Sequence, residues 1–135
     1  MGERIFKLIV NHAPPKELNP NKRNHWTTKN RAMSESKDEI TWLARQIWHG
    51  QRPMAYARLS YVWHFKSKVK RDYDNLLASC KGWQDGLKEA WVIEGDDCDC
   101  LEIGRLKIYR GMPADKAIIT VVELECYPDD IGVEQ

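Results

Sequence analysis

"ARLSYVWHFKSKVKRDYDNLL", Ala57 to Leu77, changes its hydrophobic period partway along. Ala57, Leu59, Tyr61, Trp63 and Phe65 alternate with Arg58, Ser60, Val62, His64 and Lys66, and Lys68 continues the polar set. A period of two puts the first group on the buried face of a strand and the second on a largely basic outer face. Beyond Asp74 the spacing lengthens. Leu76, Leu77, Cys80, Trp83, Leu87, Ala90 and Trp91 recur at a helical period, which predicts a helix from about Asn75 to Trp91. The strand delivers the chain to Asp72 and Asp74, which lie on one side if the backbone stays extended.

Outward from this stretch, "RIFKLIVNH" (Arg4–His12) reads as a first strand, and "APPKELNPNKRNHW" (Ala13–Trp26) as a loop punctuated by Pro and Asn. Ser36 with Glu39 makes a capping-box pattern, and Ile40, Leu43, Ala44 and Ile47 follow as an amphipathic stripe that Gly50 ends. "VIEGDDCDC" (Val92–Cys100) is an acid-dense turn. "LEIGRLKIYR" (Leu101–Arg110) is a strand whose apolar parity switches at Gly104, the sign of a bulge. "KAIITVVELE" (Lys116–Glu125) is the last strand, and the tail after about residue 126 is expected to be loose. The order β-α-β-α-β-β, without repeats or linkers, predicts one α+β domain over residues 1–135, with a small mixed sheet packed by helices.

The bulk numbers agree with that size. The chain has 135 residues, 42% hydrophobic and 30% charged, the proportions of a globular domain with its own core. It lacks a long apolar run and a leader-like N-terminus, so neither a membrane partner nor export is expected, and the reading is cytoplasmic. Cys80, Cys98, Cys100 and Cys126 fit no zinc spacing and read as reduced thiols. Net charge is only +1, yet Met1–Arg71 carries 15 Lys and Arg against 5 Asp and Glu, and Asp72–Gln135 carries 6 against 15. Such asymmetry suggests a surface for phosphates beside a second with another task, unless folding interleaves the halves and cancels the field.

Lys66, Lys68, Lys70 and Arg71 therefore stand as candidate backbone contacts, immediately before Asp72 and Asp74. Those aspartates, with Asp96 and Asp97, suit a hard cation such as Mg2+, which takes few protein ligands and leaves positions for substrate oxygens. Salt-bridge and capping roles stand beside that reading, with Asp74 the obvious N-cap. His64 reads as a surface histidine and Lys81 as a solvated or catalytic lysine. Trp26, set among Lys22, Arg23 and Lys29, either stacks on bases or anchors its loop.

"RDYDNLL", the helix after it and "WVIEGDD" resemble the RusA family of Holliday junction resolvases. Arg71, Asp72, Asp74 and Asn75 match its Arg-Asp-x-Asp-Asn signature, and Val92, Ile93, Asp96 and Asp97 match its hydrophobic-hydrophobic-x-Asp-Asp element. "APPKELNPN" is similar to the family's Pro-Pro-x-Asn loop with residues inserted. The resemblance implies a RusA-like fold, a homodimer and a Mg2+-dependent endonuclease acting on branched DNA such as four-way junctions. Mn2+ is a possible substitute, and the implied setting is bacterial or phage. It carries metal and catalytic roles to Asp72, Asp74 and Asp97, with Asp96 beside them, and supporting roles to Arg71 and Asn75. The family's lysine four residues after the second aspartate is replaced by Ala78, with Lys81 the nearest helical lysine. Flap or fork nucleases, an inactive branched-DNA binder and a small interaction domain are the competing readings. A straight helix from Asn75 to Trp91 would be roughly 25 Å long, longer than the roughly 20 Å that Trp91–Asp97 can span back. That predicts sites shared across a two-fold dimer.

Overall fold

The computed structural model describes residues 3–23 and 25–125. The expected loose tail, and Cys126 with it, lie outside the described residues. The chain folds as one α+β domain whose elements are β1 (Ile5–Val10), α1 (Trp26–Trp48), β2 (Ala57–His64), α2 (Tyr73–Ser79), α3 (Lys81–Glu89), β3 (Leu101–Tyr109) and β4 (Lys116–Glu123), with a 3-10 turn at Lys16–Leu18. The sheet order is β1-β4-β2-β3. β4 runs antiparallel to both β1 and β2, while β3 runs parallel to β2, so the sheet is mixed as expected.

Strict alternation on β1, β2 and β4 sends Phe6, Leu8, Val10, Leu59, Tyr61, Trp63, Ile119 and Val121 into one core. Ile40, Ala44 and Trp48 of α1 and Trp83 and Leu87 of α3 complete it. Phe6 meets Trp48 edge-on with ring centroids 6.1 Å apart. The bulge expected at Gly104 is present: Leu59 pairs with Ile103 and Tyr61 with Leu106, leaving Gly104 and Arg105 opposite Ser60. A Cβ at Gly104 would come within 2.7 Å of the Arg58 side chain.

Two helix expectations are corrected. α1 starts at Trp26, ten residues before Ser36, and His25 is its N-cap, with Nδ1 accepting from Thr27 N at 3.2 Å. Ser36 is buried inside the helix, where its hydroxyl donates to Met33 O. The inward stripe is Ala32, Ser36, Ile40, Ala44 and Trp48, and Ile47 faces outward. The second helix is two helices, because the chain breaks at Cys80 between α2 and α3. Trp91, expected on the buried stripe, sits past the end of α3 at φ 64° with its side chain exposed. Cys80, Cys98 and Cys100 are free thiols, and burial pushes the Cys80 thiol up to about 12.

Candidate nucleic-acid interface and acidic site

β2 ends at His64 and the chain turns across the top of the sheet to α2. Phe65 stays in the core, and the Arg71 guanidinium lies 3.8 Å over its ring centroid, with Nη1 donating to Val69 O at 3.1 Å. A stacked and tethered guanidinium is oriented in advance for a phosphate. Lys66 is fixed through its backbone, whose N–H donates to Asp115 Oδ1 at 2.8 Å. These residues wall a cleft of about 500 Å³. Across it stand Pro14, Pro15, Lys16 and Lys22, from the loop that follows β1. Asp72 and Asn75 line the same cleft. Two sequence motifs far apart in the chain therefore face one another.

Asp72, not Asp74, is the N-cap of α2. Its Oδ1 accepts from Asn75 N at 2.9 Å, and its Oδ2 accepts from Asn75 Nδ2 at 3.0 Å. The main-chain bond satisfies a helix N–H that otherwise lacks a partner. Because the helix begins at Tyr73, the extended geometry that would align the two carboxylates is lost. Asp74 lines a separate hollow with Met33, Leu77, Ala78, Lys81 and Gln84.

The acidic turn is anchored by its apolar half. Val92 and Ile93 are buried, and Met54 brackets them: its N–H donates to Val92 O at 2.9 Å and its carbonyl accepts from Glu94 N at 3.0 Å. Asp96 then folds back over α3. Its Oδ2 accepts from Lys81 Nζ at 3.0 Å and from Gln84 Nε2 at 3.4 Å, and Lys88 Nζ is 3.5 Å from Oδ1. The Lys81 hydrogen bond holds the Asp96 carboxyl below the usual carboxylate range against the opposing effect of burial. Lys81 also pairs with Asp85 at 3.0 Å. The turn thus returns to the start of α3 within one chain, which removes the distance argument for shared sites. Asp97 Oδ1 accepts from Asp99 N at 2.9 Å.

Among the described residues no three Asp, Glu, His or Cys side chains gather as a metal-holding group. The donor chemistry suits Mg2+, but only in the mode that uses one or two carboxylates together with substrate oxygens. Trp26 opens α1 with its side chain exposed, and its ring is 5.7 Å from that of His25. It is not a loop anchor in the core. Lys22 joins the cleft, while Arg23 is exposed outside the residues that line it. Lys16 of the cleft, and Gln84 and Lys88 around Asp96, were not singled out in the sequence. The i, i+3, i+7 spacing of Lys81, Gln84 and Lys88 is the signal for the latter two.

Among the described residues no helix is long and apolar enough to cross a membrane. No known family profile matches the chain. It is 32% identical over 96 residues to an uncharacterized protein of Xylella fastidiosa, an alignment covering 69% of this chain and 63% of that protein. The chain therefore spans less than two thirds of that relative's length.

Proposed function

We propose that the protein is a structure-selective DNA endonuclease of the RusA kind, acting as a homodimer on branched DNA such as a Holliday junction, in the cytoplasm where such DNA is handled. The observation that supports this reading is the cleft in which the Pro14-Pro15 loop faces Arg71, Asp72 and Asn75 amid Lys16, Lys22, Lys66 and Lys70. Five cations around two aspartates, of which Asp115 is tied to the Lys66 N–H, are suited to hold a polyanion against the Asp72 carboxylate. Lys70 and the braced Arg71 grip the backbone, and Asn75 fixes the orientation of Asp72. Asp96, gripped by α3, positions Asp97 next to it. One or two of Asp72, Asp74 and Asp97, completed by oxygens of the bound phosphate, would hold Mg2+, or Mn2+ in its place, whose chemistry when bound is to neutralise phosphate charge and activate water. Contacts of this kind read the shape of the DNA rather than its bases.

A second reading is favoured by one observation. Ala78 lies in the hollow beside Asp74 where the family has a lysine, and Lys81 is engaged by Asp85 and Asp96. That combination suits a branched-DNA binder without cleavage. Incubation with a four-way junction, a flap and a linear duplex, each with Mg2+ and with EDTA, decides. Nicking of the junction that requires Mg2+ is expected. Preferential junction binding without nicking would establish the binder, and faster nicking of the flap would reassign the substrate. Absence of both binding and nicking would refute the proposal.

A further inference from the structure

Three of the six cations in the acid-rich half of the chain lie on or just after β3: Arg105, Lys107 and Arg110. Parallel pairing of β3 with β2 sets Trp63 against Ile108 and His64 against Tyr109. The end of β3 therefore arrives where the basic stretch after β2 begins. Arg110 Nη1 donates to Lys68 O at 2.9 Å, tying the two segments together. Two adjoining hollows result. One is walled by Lys70, Arg71, Tyr73, Ile108 and Arg110. The other is walled by Lys68, Lys107, Ile108, Tyr109 and Arg110. No carboxylate lines either, which sets them apart from the main cleft with its Asp72 and Asp115.

Their other features suit the same ligand. Tyr73 and Tyr109 are about two-fifths exposed, 41% and 40%, and so offer ring faces or hydroxyls beside the cations. Lys107 Nζ lies 5.5 Å over the Tyr109 ring centroid, and the Tyr109 ring meets His64 edge-on at 5.5 Å. β3 is an edge strand of the sheet, with no further strand paired beside it among the described residues. Lys70 and Arg71 line both the main cleft and the first of the new hollows. The basic surface is therefore one field divided at Lys70–Arg71, with a carboxylate-bearing side and a side free of carboxylates.

We infer that the Lys68–Lys107–Arg110 surface is a second phosphate-backbone site, so that one subunit holds two duplex arms that part at Lys70 and Arg71. This rests on the branched-DNA reading above and extends it. The main cleft holds the arm that is presented to Asp72, and the β3 surface holds its neighbour. A linear duplex fills only the first, whereas a branch point fills both. Charge complementarity carries the assignment: five cations (Lys68, Lys70, Arg71, Lys107 and Arg110) line the two hollows without an opposing acid, and a phosphate backbone is the repeating polyanion that such a track fits.

The test compares wild type with Lys107→Gln and with the double variant Lys107→Gln/Arg110→Gln. Binding to a four-way junction and to a linear duplex is titrated in EDTA over a series of salt concentrations. Each lost phosphate contact flattens the log–log salt slope by about 0.9. The single variant should flatten the junction slope by about 0.9 per bound subunit and the double by about 1.8 per bound subunit, with duplex binding unchanged. Lys107 makes no hydrogen bond to the backbone of Lys68, so its single substitution keeps the test valid if Arg110→Gln loosens that segment. An unchanged junction slope, or equal flattening on junction and duplex, overturns the second site. The wild-type nicking and preference experiment fails or succeeds separately, so loss of the second site and loss of the branched-DNA reading are told apart.

Discussion

Asp72 holds the first turn of α2 through Asn75, whereas Asp74 leaves the helix on another side and lines the hollow that also contains Lys81. Removing each should have different consequences. Asp72→Ala forfeits the cap and is expected to cost about 1 kcal/mol, a fall of about 4 °C in melting temperature for a domain of this size. Asp74→Ala should leave the melting temperature almost unmoved. Under the proposed function both variants lose nicking, as does Asp74→Asn. Thermal melts run beside the nicking assay check this, and equal loss of stability from the two alanine variants would contradict the assignment of the cap. The pair itself was legible in the sequence, as were the cations before it. Which aspartate caps was harder to read, because both are eligible N-cap types and the choice turns on where the backbone first becomes helical. The polar Asn75, three residues after Asp72, was the available clue.

α1 and α3 pack through small residues. A Cβ on Gly86 would meet Ile40 Cβ and the Lys37 carbonyl oxygen, each at 2.8 Å, and neither is the free end of a flexible side chain. Gly86→Ala should therefore force the helices apart and destabilise the fold by about 1–3 kcal/mol, read as a shift in denaturant midpoint. An unchanged midpoint would mean that the helices re-seat without strain. This packing explains why half of α1 escaped the hydrophobic pattern. Its first turns, "WTTKNRAMSES", present Ala32 and then Ser36 to the core side, and small or hydroxylated residues carry little weight in an apolar period. β1, β2 and β4 were more legible because apolar residues, many of them β-branched or aromatic, alternate along them without interruption, and even the one interruption in β3 was marked by Gly104. The break at Cys80 had no breaker residue to announce it, and the straight helix inferred without it produced the mistaken distance to the acidic turn.

Charge halves that look separate along the chain become neighbours in the sheet. β3, from the acid-rich half, lies against β2, from the basic half, and its own cations extend the basic face. Net charge by segment could not show this, because it sums residues that the fold sends to different sides. The pairing of strands has another consequence. β4, the final strand among the described residues, is an interior strand of the sheet, seated between β1 and β2. While the chain is being made on a ribosome, Leu59, Tyr61 and Trp63 emerge long before Ile119 and Val121, which share their core face. At 5–20 residues per second, roughly 60 residues of delay leave β2 without that partner for about 3–12 s. Over that interval the nascent chain displays a strip of aromatic surface that a holding chaperone would recognise. A chain ended at Ala114 should keep that strip permanently, so it should emerge from synthesis insoluble or chaperone-bound and without a cooperative melt. A soluble, cooperatively melting product would mean that β1, β2 and the helices close the core without the final strand.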